Sequence, residues 1–271
     1  MRPPRATPSG HVADALRSYR VVVVSPHLDD SPLSAFALMQ RAAQVSPDVE
    51  SVTVFTAPRA DGAPSDWDRY SGFTSSTEAM ASRYEEDRRA MEVVGVRSRH
   101  LHQREELYRG PGEEAPAVAA MQEQLRAIVA EHDVPTVLAI PAGLGAVPSW
   151  FRMQRHKVSV PLLRVKPGGP SHTDHVLLRT HLLPFALELA PAVIVYEDLP
   201  YAWGGGYAGL VADLTAGGRR AVRESLPVDL VRKDEALRHY ASQYQMFFPK
   251  WSDRLADVFE PVEHYWWVTR N

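Results

Sequence analysis

Four consecutive valines, Val21–Val24, narrow most sharply what this chain can fold into. An unbroken β-branched run, with no polar residue at alternate places, suits a strand covered on both faces. Such strands belong to parallel sheets enclosed between layers of helix. The rest of the chain fits that plan. Further strands are predicted at Glu50–Ala57, Thr136–Ile140, Ala192–Tyr196 and His264–Thr269. Helices are predicted at Leu33–Ala43, Glu78–Gly95 with Gly95 as a cap, Ala115–Glu131, His175–Leu189 and Lys233–Tyr244. Alternation of the two means βαβ units, hence an α/β fold with a mostly parallel sheet flanked by helices.

No internal repeat or composition shift divides the sequence, so one domain with irregular insertions is expected over 18–271, preceded by a loose arm at 1–17. With 271 residues, 45 % of them hydrophobic, the chain can bury a sizeable core. A net charge of −3 argues against a general nucleic-acid binder. The absence of cysteine excludes disulfides, thiolate metal sites and a cysteine nucleophile. No apolar run approaches the ~20 residues of a membrane span, and the first residues lack the apolar stretch of a secretory signal, so a cytoplasmic protein is expected. Nothing in the residues specifies an oligomeric state.

Two short motifs carry chemistry. Ser25-Pro26-His27-Leu28-Asp29-Asp30 directly follows the first strand. In open α/β sheets ligands bind beyond the carboxyl ends of strands. Adjacent aspartates on a loop point in different directions, so one can hold a metal while the other reaches water. The simpler reading is that Asp29 or Asp30 caps the next helix. The second motif is His172-Thr173-Asp174-His175, whose histidines share one face of a helical turn. Alone they read equally well as surface histidines. Together with His27 and Asp30, one of them completes three ligands and an open position, the pattern of a catalytic zinc.

These motifs resemble the signature of the PIG-L, or LmbE-like, family of zinc-dependent N-deacetylases, a strand-end His-Pro-Asp-Asp and a later His-x-Asp-His. Leu28 stands where proline is commoner, as in one bacterial branch. Arg83, Glu86, Ala90 and Gly95 resemble the family's Arg-x-x-Glu helix. Tyr196-Glu197-Asp198-Leu199-Pro200-Tyr201 resembles a branch motif, and Lys233, Ala236, Tyr240, Ser242 and Gln243 resemble a late helix.

The resemblance implies a Rossmann-like fold, a small-molecule N-acyl substrate and hydrolysis of its amide. It implies Zn2+ held by His27, Asp30 and His175, and nitrogen and oxygen donors without thiolate also admit Fe2+. Asp29 is then the general base, and His172 stabilises the oxyanion or protonates the leaving amine. Asp174 orients His172, and Arg83 binds substrate. Glu86 packs or pairs with an arginine. Glu197 and Asp198 either enter the site or serve as a cap or ion pair.

An atypical insertion at 146–170 carries Trp150, Phe151, Arg152, Arg155 and further basic residues with no acid. It reads either as a surface excursion or as a recognition loop in which Arg152 and Arg155 attract an anionic substrate. The leading functional reading is an N-deacetylase of an amino sugar or related metabolite, for example in natural-product biosynthesis. An amidase on a larger amide, such as a thiol-cofactor conjugate or a lipid or peptide acyl chain, and a non-catalytic metal-binding relative are the alternatives.

Overall fold

A computed structural model describes residues 7–8, 16–144, 172–244, 252 and 254–269. The 146–170 insertion, with Arg152 and Arg155, lies outside the described residues, as does most of the arm.

The first strand, β1 (Thr7–Pro8), comes from the arm and pairs with a late strand rather than standing free. The valine run forms β2 (Arg20–Ser25), buried along its whole length. The single helix expected next is two, α1 (Asp30–Ser34) and α2 (Phe36–Val45), separated at Ala35, which leaves helical geometry. After β3 (Val49–Ala57), a stretch rich in Pro, Gly, Ser and Asp holds α3 (Asp66–Tyr70). Ser65 and Asp68 form a capping box there. Helix α4 (Ser76–Val94) begins at the Ser75 cap and ends at Gly95, whose φ of 80° is the left-handed turn glycine permits.

The polar segment that follows is a strand, β4 (Arg97–Arg104). Then come α5 (Glu114–Ala130), β5 (Thr136–Pro141), α6 (Thr173–Leu189) and β6 (Ala192–Tyr196). Two elements that periodicity did not suggest follow, α7 (Tyr207–Thr215) and β7 (Arg220–Pro227). Helix α8 (Leu230–Leu237) starts earlier than expected, because Asp229 caps it through Val231 and Arg232 N–H, and it ends sooner, at Leu237. The described chain closes with α9 (Leu255–Val258) and β8 (Val262–Thr269).

The strands form one sheet in the order β1-β7-β8-β6-β5-β2-β3-β4. All pairings are parallel except those of β8 with β6 and β7. The fold class is therefore as expected. Alternate valines of β2 point to opposite faces, as strand geometry requires. Val22 and Val24 pack with Leu138, Ile140 and Leu178, while Val21 and Val23 pack with Phe36, Leu38 and Met91.

Strand order reverses at β2. The chain runs outward from β2 through β3 to β4, then returns to place β5 on the other flank. Such a reversal opens a crevice beyond the carboxyl ends of β2 and β5. Both chemical motifs follow from that crevice. Among the described residues, no helix is long and apolar enough to cross a membrane.

Candidate metal centre

The turn leaving β2 is held atom by atom. Phe55 N–H donates to Pro26 O (2.9 Å), the Ser25 hydroxyl to His27 O (2.6 Å) and His27 N–H to Asp30 Oδ2 (2.9 Å). Asp29 occupies the N-cap position of α1, but its side chain makes no capping bond. The capping reading therefore does not account for it.

The second motif arrives through a close approach. Gly143, just past β5, has φ 55°, and a Cβ there would lie 2.9 Å from His175 O and 3.2 Å from Arg179 Cβ. Only glycine admits both the dihedral and the contact. Gly143→Ala is expected to push the start of α6 outward and lower stability by about 1–3 kcal/mol, measured by urea unfolding. His172 is the N-cap of α6, with Nδ1 accepting from Asp174 N–H (3.3 Å). His175 follows one turn later, fully buried.

His27, Asp30 and His175 meet here. Asp30 Oδ2 lies 3.0 Å from His27 Nδ1 and 3.2 Å from His175 Nε2, and the three ligand atoms fall within 4.8 Å of one another. His175 Nε2 is buried with no hydrogen-bond partner. The opposite nitrogen of each ring rests on a carboxylate. His175 Nδ1 is 2.8 Å from Asp198 Oδ2, and His27 Nε2 is 3.1 Å from Asp174 Oδ2. A carboxylate behind each imidazole fixes its tautomer and turns the other nitrogen toward a metal. An orphaned imidazole nitrogen beside a shared carboxylate oxygen therefore fits a divalent cation. His27, His172 and Asp174 also lie within ligand distance of one another. The bond from Asp174 N–H to His172 Nδ1 and the hold of Asp174 on His27 favour the first set.

One expectation about the acids changes, and the two readings of Glu197 and Asp198 divide between them. The Asp174 carboxylate does not orient His172. It backs His27 and is itself held by Arg109 and by Glu106 N–H (3.0 Å). Asp198 reaches the site, since it holds His175 and accepts from Leu144 N–H (3.3 Å). Glu197 turns away, into a forked ion pair with Arg223 and a bond from Trp266 Nε1 (3.0 Å). Glu86 accepts from Ser242 N–H and Oγ, with no arginine paired to it among the described residues.

The ionisable groups of the centre shift one another strongly. Burial would raise the Asp30 carboxyl, but His175 and His27 hold it well below the usual carboxylate range. Burial would lower His175, yet Asp30 and Asp198 lift it to about 9. Burial also opposes the proton on His27, and Asp174 and Asp30 outweigh it. Burial and the neighbouring charge of Asp30 push Asp29 up to about 6. Burial and the charge on His27 bring His172 down to about 3, so it stays neutral.

Two further charged groups border the centre. Arg83 is buried with no partner for Nε, and its charge acts on both Asp29 and Glu105. Glu105 is buried, has no partner for Oε1 and places Oε2 3.7 Å from His27 Nε2. The Tyr201 ring lies 4.7 Å from the His175 ring. Glu105 escaped the sequence reading because the strand before it did. Removing the charge behind His175 by Asp198→Asn is expected to weaken metal binding about 10–100-fold, measured by chelator competition.

No family model matches the chain, and no curated relative is found. Solved structures do match in fold. The zinc-inhibited form of teicoplanin deacetylase Orf2 is 21 % identical, with a TM-score of 0.68 over 93 % of this chain and 98 % of that one. The pseudoaglycone deacetylase Dbv21 is 24 % identical, with a TM-score of 0.66 over 93 % and 98 %. The hydratase GalB of Pseudomonas putida is 14 % identical, with a TM-score of 0.50 over 84 % and 81 %. The chain thus shares its fold with deacetylases and with a hydratase, and the reaction has to be argued from the site.

Proposed function

We propose that this chain is a metal-dependent N-deacetylase of the LmbE-like group, acting on an N-acylated amino sugar or related small metabolite. The observation that carries this reading is the convergence of His27, Asp30 and His175 on one point, with Asp29 beside them and outside the ligand set. Zn2+ is the proposed ion, and Fe2+ suits the same nitrogen and oxygen donors. When bound, the ion supplies Lewis acidity toward the acyl oxygen and toward water.

The protein's own groups supply the rest. Asp29 accepts a proton from the attacking water through a carboxylate oxygen. His172 is neutral and its Nδ1 accepts from the backbone, which leaves the hydrogen on Nε2. In this reading that hydrogen donates to the oxyanion of the tetrahedral intermediate. Asp174 and Asp198 hold the ligand rings. Arg83 and Glu105, each with an unpartnered polar atom, offer one donor and one acceptor to a hydroxyl-bearing substrate. A role in natural-product biosynthesis accords with the structural likeness to Orf2, a teicoplanin deacetylase.

The test is mass spectrometry of the products from a panel of N-acyl substrates, from N-acetylated amino sugars to N-acyl glycopeptides and longer amides. Release of acetate and a free amine from a sugar substrate is the expected result. Cleavage of only long acyl amides moves the assignment to an amidase. No cleavage of any amide by protein carrying one metal ion per chain overturns the hydrolase reading.

A further inference from the structure

Among the described residues, the backbone of the turn that carries His27 and Asp29 is tied to one distant side chain. The other carbonyls of the turn are satisfied locally or by the neighbouring strand. Pro26 O accepts from Phe55 N–H, His27 O from Ser25 Oγ and Asp30 N–H, and Asp29 O from Leu33 N–H. Leu28 O, between the ligand and the base, accepts from the Tyr240 hydroxyl at 2.8 Å, across 212 residues of chain. Tyr240 is 1 % exposed and packs with Leu28, Leu33 and Leu237.

The same hydroxyl lies 2.8 Å from Asp87 Oδ1 on α4, and Asp87 Oδ2 lies 2.9 Å from His100 Nε2 on β4. A phenol has one hydrogen, and here two acceptors face it. Donation from His100 to the far oxygen of Asp87 offsets part of that carboxylate's pull. The phenol hydrogen is shared between Leu28 O and Asp87 Oδ1, so the hydroxyl ties the turn to α4. The Tyr84 ring stacks on His100 at 4.6 Å and holds the imidazole in place.

We infer that Tyr240, set by Asp87 and His100, is a positioning residue for the metal-binding turn. It fixes the Leu28 carbonyl and, through it, the spacing of the His27 ligand from the Asp29 base. The inference rests on the metal centre proposed above. Ligands must be held within about 0.5 Å of productive geometry. Losing the phenol hydrogen leaves a buried carbonyl unpaired and frees the turn to move.

Ser242 provides a control, because it joins the same late segment to α4 through Glu86 without touching Leu28. Tyr240→Phe, Ser242→Ala and wild type are stripped of metal and titrated with Zn2+ against a chelator. The melting temperature of each metal-free form, kcat and KM are measured alongside. Tyr240→Phe is expected to raise the metal Kd about tenfold and to lower kcat with KM unchanged. Ser242→Ala should lower the melting temperature of the metal-free form and leave metal Kd and kcat as in wild type. His100→Gln, at a partly exposed site that tolerates change, should shift the metal Kd in the same direction by about threefold. An unchanged metal Kd in both Tyr240→Phe and His100→Gln overturns the inference. So does equal weakening by Ser242→Ala. A wild-type chain that takes up no metal overturns the functional reading and this inference with it.

Discussion

The His175→Ala variant is expected to purify without stoichiometric metal and without measurable deacetylation, while His172→Ala keeps the metal and loses turnover. The two histidines are one helical turn apart and both buried, yet their surroundings differ. His175 Nε2 has no hydrogen-bond partner and faces Asp30, while Nδ1 is on Asp198. Its removal takes away one of three ligands and leaves Asp198 without its imidazole. Loss of a residue behind a ligand costs about 10–100-fold in affinity, and loss of the ligand itself costs more. His172 has its Nδ1 occupied by the backbone and is held neutral chiefly by burial. Removing an oxyanion donor of this kind costs about 10²–10³ in kcat with the metal in place. Elemental analysis of both variants, with circular dichroism to verify folding, separates the two roles. Metal lost from His172→Ala and kept by His175→Ala would reverse the assignment.

The parts of the site that were readable in advance are those whose signal is local. A buried parallel strand declares itself in four valines, and the turn after it carries the proposed ligands and base within four residues. The strands that escaped notice are polar. β4 lies at the edge of the sheet, where its side chains are mostly half-exposed and need no apolar alternation. β7 buries Arg223 and Glu224 instead of valines, and Arg223 is there balanced by Glu197. Missing β4 meant missing Glu105 just beyond its end and Arg109 behind Asp174.

Asp174 shows a different limit. Its neighbour in sequence is the His172 motif, but residues two apart on a helix do not face each other. The helix therefore turns Asp174 from His172 toward His27. Glu197 and Asp198 diverge for a similar reason as the chain leaves β6, one toward Arg223 and the other toward His175. Sequence order shows which acids reach this edge of the sheet, and backbone direction decides which histidine each one serves.

Asp29→Asn separates the metal from the base most cleanly. Asp29 borders the ligand set without belonging to it, and its carboxyl is free of the capping bond its place at the start of α1 would allow. The amide is nearly the same shape but accepts no proton from water. Metal content is therefore expected to match wild type, while kcat falls by about 10²–10⁴. The pH profile carries the sign. Burial and Asp30 set the Asp29 carboxyl at about 6 in the metal-free protein, and the base works only when ionised, so activity rises with pH on the acid side. A dication beside the carboxylate favours its ionised form and moves the acid limb below 6 in the loaded protein. Arg83 acts in the same sense, because its positive charge lowers the Asp29 carboxyl. Arg83→Met should therefore shift the limb upward as well as weaken substrate binding. In Asp29→Asn the limb should disappear from the residual activity. An Asn variant that holds its metal and keeps wild-type kcat, or that loses rate but retains the same acid limb, assigns the proton acceptor to another group.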